Sequence, residues 1–297
     1  MSVVSLRSPP ALSPGSLVHV VAPSSPFPRE RFDKGLALLE ARYRTKSSAA
    51  LFARDGFLAG DDQARLAALE AALDDTDAGA VIAARGGYGA TRLLPHLRVE
   101  DVRRADTWLV GFSDVTALHA LWARAGQCSI HGPMLTSLWE AEPATQAAWF
   151  ELLEGCRPRA LTGLKPLRAG RCAGRLLGGN LTVLAALSGT PYMPDLTDAV
   201  LLLEDVTERP YRIDRTLTML LQSGALTGLR GVVLGQFSQC DPGPDGVSAL
   251  AVLEERLGTL RIPLVADAPI GHVPDNQPVL LGARVELDAT AGTLSWE

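Results

Sequence analysis

The chain has 297 residues, of which 47% are hydrophobic and 21% charged, and its formal net charge is −5. That length suits two domains, or one large one, and can bury a core without a disulfide or metal staple. The mildly acidic balance offers no broad basic footprint for nucleic acid, and no apolar run nears the roughly 18 residues that a membrane span needs.

The N-terminal stretch MSVVSLRSPPALSPGSLVHVVAP is broken twice by proline and has no uninterrupted apolar core. It does not read as a signal peptide, so a soluble, cytoplasmic protein is expected, with no membrane partner. Cys128, Cys156, Cys172 and Cys240 form no C-x-x-C pair, and no His stands at zinc-ligand spacing from them. They read as isolated reduced thiols, and no metal or other cofactor is expected.

In chain order, Ser16–Ala22 is a buried first strand that stops at the turn-rich Pro23-Ser24-Ser25-Pro26. Helices are expected over 29–41 and 61–75, the second capped by Asp61 or Asp62. The apolar strand Ala80–Ala84 runs into Arg85-Gly86-Gly87-Tyr88-Gly89, and a helix starts near Ala90. Thr107–Gly111 is the next buried strand, broken at Phe112-Ser113-Asp114 and followed by a helix carrying Leu118, Leu121 and Trp122. This alternation predicts an α/β fold with a parallel sheet. The character changes near residue 160. Strands are expected near 172–177, 199–204, 231–237 and 283–288, with helices near 179–188, 213–223 and 247–257. Two domains follow: 1–160, α/β, and 161–297, a β-rich α+β domain.

Ser113 is the most informative residue. A serine between a strand and a helix has the context of a nucleophile elbow, which exposes the hydroxyl beside N–H groups at a helix start. The pattern Gly-Phe-Ser-Asp-Val is not G-x-S-x-G, and a plain helix cap competes with the catalytic reading. A nucleophilic serine needs a base and an orienting acid. His19 reads as a core residue in a strand, His96 as a surface residue, and His119 as a helix residue that packs or faces solvent. His131 and His272 adjoin glycines, read as loop residues, and remain open as the base. Leu201-Leu202-Leu203 ends in Glu204 and Asp205, either of which could be the acid. The glycines of 85–89 let backbone approach a ligand. A phosphate cradle is disfavoured because that segment lacks both G-x-G-x-x-G and a Lys-Ser/Thr ending.

These pieces recur in a set order. Gly56-Phe57-Leu58-Ala59-Gly60-Asp61-Asp62 precedes Ala84-Arg85-Gly86-Gly87-Tyr88-Gly89, then Gly111-Phe112-Ser113-Asp114 and His131-Gly132-Pro133-Met134. Gly178-Gly179-Asn180-Leu181, Leu203-Glu204-Asp205, Pro210-Tyr211-Arg212-Ile213-Asp214-Arg215 and Gly271-His272 follow. The set resembles the LD-carboxypeptidase family of serine peptidases, the muramoyltetrapeptide carboxypeptidase or S66 family, over about residues 16–288.

The resemblance implies a Rossmann-like N-terminal domain, a β-rich C-terminal domain and a homodimer. It implies a triad of Ser113 as nucleophile, Glu204 as acid and His272 as base. Backbone N–H groups of Gly86, Gly87 and Asp114 would hold the oxyanion. Arg85, Tyr88 and Asn180 are the candidates for substrate binding. The implied activity releases D-alanine from cytoplasmic murein tetrapeptides by cutting after meso-diaminopimelate, a step of peptidoglycan recycling. A sister branch hydrolyses peptidyl-nucleotides of the microcin C type and carries an aromatic-bearing insertion before the catalytic His. Here 236–272 is short and Phe237 is its only aromatic, which favours the murein substrate.

Overall fold

The computed structural model describes residues 6–297. Residues 1–5, part of the stretch read above for a leader, lie outside the described residues. Strands β1 (Leu17–Val21), β2 (Arg44–Ser47), β3 (Ala78–Ala83), β4 (Trp108–Gly111) and β5 (Ser129–His131) are parallel neighbours in the order β2-β1-β3-β4-β5. Apart from β2, these strands are almost continuously apolar because helices bury both faces of the sheet. Val20, Ile82, Val110 and Ile130 pack one way with Phe32, Leu39 and Trp149; Val81, Ala83 and Leu109 pack the other way with Leu69, Leu118 and Trp122.

The second sheet is mixed. Strands β6 (Lys165–Arg168), β7 (Arg171–Asn180), β8 (Ala199–Val206), β9 (Gly231–Ser238) and β10 (Leu264–Ala266) come first in the chain. Next, β11 (Val279–Leu281) crosses back to pair antiparallel with β5. Strands β12 (Arg284–Asp288) and β13 (Thr293–Trp296) then complete the order β13-β12-β7-β8-β9-β10-β6. Its centre, β7 to β10, is parallel. Leu201, Leu203, Val232 and Leu234 pack under the helices Leu181–Ala186, Pro210–Gln222 and Ala249–Gly258; Val200, Leu202 and Val233 pack on Val265, Val285, Leu287 and Leu294. The α/β class with a β-rich second half is the fold expected above. Among the described residues, no helix is long and apolar enough to cross a membrane.

Ligands of doubly wound sheets bind beyond the C-terminal strand ends, at the point where strand order reverses. In the first sheet that point lies between β1 and β3. The segments leaving those two strands are Pro23–Pro26 and Arg85–Gly89, and the β4 exit carries Ser113 beside them.

Candidate active site

Ser113 follows β4 after one residue, Phe112. Its φ is 62°, a left-handed conformation that a non-glycine residue rarely adopts. Strain of this kind clusters at functional turns and is held only where the surroundings over-determine it. The surroundings here are close: Gly111 packs so tightly on Val115 that a Cβ would stand 2.9 Å from its methyl carbons. A 3₁₀ turn, Ser113–Val115, then feeds the helix Thr116–Arg124. The hydroxyl therefore sits at a helix entrance, where partial positive charge gathers.

His272 lies in the loop between β10 and β11. Its Nδ1 is 2.8 Å from Glu204 Oε2 and its Nε2 is 3.0 Å from Ser113 Oγ. The carboxylate can only accept, so Nδ1–H donates to it and Nε2 is left to accept from the serine hydroxyl. Phe112 packs against the imidazole with ring centroids 4.8 Å apart. The His272 loop is tied down twice: Asn276 Oδ1 accepts from Gly271 N at 2.8 Å, and Val279 pairs with His131.

Glu204 is fully buried near the end of β8. Burial pushes its carboxyl above the usual carboxylate range, and the His272 hydrogen bond pulls the other way. Asp205, the other acid left open by the sequence, does different work. It accepts from Asn180 Nδ2 at 2.9 Å, Thr182 N at 3.0 Å and Thr182 Oγ1 at 2.8 Å.

His131, the other histidine left open, is not in a loop. It is wholly buried in β5, because the triplet Ser129-Ile130-His131 pairs parallel with β4 under cover of both faces of the sheet. Desolvation holds its pKa well below the ordinary histidine value. His119 is also buried: its Nε2 donates to Gly111 O at 2.9 Å and its Nδ1 accepts from Ser129 Oγ at 2.8 Å. His19 is buried against Asp75 and His96 is exposed, as expected.

Gly86 packs directly on the nucleophile candidate. A Cβ there would stand 3.0 Å from Ser113 Cβ, 3.2 Å from its Oγ and 3.3 Å from Asp114 N. Gly87, with φ 108°, continues the turn toward solvent. Of the three backbone groups named from the resemblance, Gly86 and Asp114 N thus lie together beside Ser113 Oγ, while the Cβ side of Gly87 faces Ser25.

Of the substrate-binding candidates, Arg85 and Tyr88 are exposed on that turn. Arg85 donates to Pro26 O, and Tyr88 rests against the exposed ring of Phe57 at 5.6 Å between centroids. Asn180 is buried and engaged within the protein: its Oδ1 caps the helix Leu181–Ala186 through Val183 N, and its amide donates to Asp205. The sequence reading did not single out Ser24, Ser25, Thr116 or Gly235, each of which touches a member of this cluster. The signal that could have found Ser24 and Ser25 is their position just after β1 of a doubly wound sheet.

A hydroxyl on a strained turn, an imidazole and a buried carboxylate, joined in that order at strand ends of an α/β fold, define a serine-type hydrolase. The family is explicit in the sequence: residues 18–132 match the LD-carboxypeptidase N-terminal domain and residues 173–287 match the LD-carboxypeptidase C-terminal domain. The chain belongs to the LD-carboxypeptidase family, and it is a peptidase. It is 34% identical to the probable murein peptide carboxypeptidase of Bacillus subtilis over 96% of this chain and 92% of that protein. The crystal structure of muramoyltetrapeptide carboxypeptidase from Oxalobacter formigenes superposes with a TM-score of 0.84 at 30% identity, covering 94% of this chain and 97% of that one. MccF in complex with glutamyl sulfamoyl guanosine shares the fold, with a TM-score of 0.87 at 19% identity over 98% of each chain.

Proposed function

We propose that this protein is a cytoplasmic murein tetrapeptide carboxypeptidase of peptidoglycan recycling. It cuts between the L-centre of meso-diaminopimelate and the terminal D-alanine, and works as a homodimer with its N-terminal domain ending near residue 160. The observation that carries this reading is the continuous contact from Ser113 Oγ to His272 at 3.0 Å and from His272 to Glu204 at 2.8 Å. The names of the Bacillus and Oxalobacter relatives support the substrate.

In this mechanism Ser113 Oγ attacks the scissile carbonyl while His272 Nε2 takes its proton. Glu204 holds the imidazole in the tautomer that leaves Nε2 free and stabilises the imidazolium that forms. The carbonyl oxygen, now negative, moves into the space bordered by Gly86, Gly87 and Asp114, where backbone N–H groups hold it. His272 then returns the proton to the departing D-alanine nitrogen. A water, activated by the same imidazole, hydrolyses the acyl-enzyme and frees Ser113. Arg85, exposed one residue before Gly86, suits the substrate's terminal carboxylate because its fork can bind bidentately. Tyr88 lines the same rim. Asn180 serves by holding the helix Leu181–Ala186 in place, its Oδ1 accepting from Val183 N and its amide donating to Asp205.

The test is release of D-alanine from free murein tetrapeptide, measured beside cleavage of an aminoacyl sulfamoyl nucleoside. D-alanine release that Ser113→Ala abolishes supports the proposal. Undiminished release by Ser113→Ala removes the serine mechanism, and preferential cleavage of the nucleoside conjugate moves the substrate to the peptidyl-nucleotide class.

A further inference from the structure

The loop after β1, Pro23-Ser24-Ser25-Pro26, has no part in the triad, yet it is bonded to the turn that faces Ser113. Ser24 is fully buried, and its Oγ donates to Asp114 Oδ2 at 2.6 Å. The same Oδ2 accepts from Ala90 N at 2.8 Å, at the far end of the glycine turn. One carboxylate oxygen, on the residue after Ser113, thus joins the β1 exit, the β3 exit and the elbow. Ser25 makes the next stitch: its N–H donates to Gly86 O at 3.2 Å and its Oγ accepts from Tyr88 N at 3.1 Å. Fit is tight on both sides. A Cβ on Gly87 would lie 2.4 Å from Ser25 Oγ, and a Cβ on Gly89 would lie 2.7 Å from Arg65 Nη1. Arg65 is buried and itself donates to Pro23 O, so it braces the same loop from beneath.

Asp114 is 2% exposed, and among the described residues its carboxylate is met by hydrogen bonds rather than by an ion pair. Burying a carboxyl there is unfavourable unless its hydrogen bonds repay it. Capping its own helix does not account for it, because both of its partners lie in other segments, at residues 24 and 90. Those bonds bracket the turn that carries Gly86, whose Cβ position lies 3.2 Å from Ser113 Oγ.

We propose that Ser24 and Asp114 are positioning residues: their hydrogen bond clamps the Gly86–Gly87 turn over Ser113 and thereby sets the N–H groups that receive the oxyanion. The clamp rests on the serine mechanism proposed above. It acts on the transition state because the donors must meet an oxygen that becomes negative only there. Ser25 sets the depth of the turn through Gly86 O and Tyr88 N, and the Ser24–Asp114 bond keeps both loops against the elbow.

The experiment is steady-state kinetics of D-alanine release from free murein tetrapeptide by Ser24→Ala, Ser24→Thr and Ser113→Ala, with thermal melting of each variant. Ser24→Ala removes the donor without adding bulk. The expected result is a kcat about 10- to 100-fold below the parent with KM within about threefold, since small misplacements of catalytic groups carry penalties of that order. Ser24→Thr, which keeps the hydroxyl, restores most of that loss. An inactive Ser113→Ala beside a Ser24→Ala of parental kcat overturns the clamp and leaves the serine mechanism standing. A Ser24→Ala whose loss lies in KM, or is not recovered by threonine, also overturns it. An active Ser113→Ala removes the mechanism on which the clamp rests. If Ser24→Ala does not fold, Ser24→Cys carries the same test, since the thiol fills the place of the hydroxyl but is a much weaker donor to Asp114 Oδ2.

Discussion

Glu204 and Gly271 are fitted to each other: a Cβ on Gly271 would lie 2.7 Å from Glu204 Oε2 and 2.9 Å from Glu204 Cβ. The glycine precedes the histidine whose Nδ1–H that same oxygen accepts. Gly235 packs on the same carboxylate stem, with its Cβ position 3.1 Å from Glu204 Cβ and 2.5 Å from Ile270 O. The acid of the site thus lies in a slot that two glycines keep open. Gly271 also has φ 120°, where an L side chain is strained whatever the space. Gly271→Ala is expected to destabilise the fold by about 2 kcal/mol from strain alone and to abolish most D-alanine release. Urea denaturation and kinetics of the same preparation check both. A variant of parental stability would show that the slot can widen freely.

Glu204→Gln keeps the size of the side chain and removes its charge. Its amide can present an N–H to Nδ1, which favours the tautomer with the proton on Nε2. A comparable change in a serine-protease triad lowers kcat about 10⁴-fold, and a loss of roughly 10²–10⁴ is expected here. Substrate KM should change little, because Glu204 is buried behind the imidazole. A kcat within tenfold of the parent would count against Glu204 as the orienting acid.

Gly86→Ala separates catalysis from stability. Gly86 is not among the left-handed glycines, so alanine brings no backbone strain. The new methyl would fill the space beside Ser113 Oγ and Asp114 N, at 3.2 and 3.3 Å. Turnover is expected to fall roughly 10²–10³-fold, the usual penalty for losing one oxyanion donor, while the melting temperature stays near the parental value. Equal losses of stability and turnover would point to collapse of the turn instead.

Thr116 couples the two sheets. Its Oγ1 accepts from Asn180 N at 2.9 Å, and Gly179, φ 135°, has its Cβ position only 2.6 Å from that oxygen. The residue lies three positions past Ser113, and Asn180 pairs in register with Glu204. Thr116→Val leaves a buried N–H without its acceptor, which typically costs about 1–3 kcal/mol. Lower stability together with reduced kcat is expected, and Thr116→Ser should recover both. Unchanged stability would show that Asn180 N finds another acceptor.

Stability should fall on mild acidification because of the buried histidines. Burial disfavours the His119 imidazolium and pushes its pKa down from 6.5 to about 4 in the folded chain. The unfolded chain takes up that proton first, so the stabilisation is complete above pH 6.5 and is lost as pH falls toward 4. His131 is shifted in the same direction. At about 1.4 kcal/mol per pKa unit, His119 alone accounts for roughly 3 kcal/mol. Denaturation midpoints measured between pH 7 and 4 check this, with His119→Gln giving a shallower decline. Parallel curves for the two proteins would remove His119 from the account.

Much of the fold was legible because apolar runs and glycine breaks mark parallel strands wherever both faces are buried. β1, β3, β4, β8 and β9 are such runs. The short strands were not legible. β5 is Ser129-Ile130-His131, too brief and too polar to separate from a loop, and reading it as a loop made His131 resemble a base. Burial, which is a property of the whole sheet, is what distinguishes it from His272. The surroundings of Asn180 were not legible either. Its position before a helix signalled a cap, but only the packed structure shows its amide engaged by Asp205.

The sequence by itself determined the family, the α/β class and the residue types of the site, because ordered motifs and hydrophobic runs are properties of the chain read along its length. It also determined that Ser113 follows a strand and that glycines stand at 86 and 271. Only the tertiary structure decided that Ser113, His272 and Glu204 touch, because 159 and 68 positions separate the contacting pairs and nothing local brings them together. It likewise decided that Ser24, on a loop that reads as a simple turn, reaches Asp114 across 90 positions. Such contacts come from strand order: β1, β3 and β4 lie side by side in the sheet, so their exits meet at one edge although the chain visits them far apart.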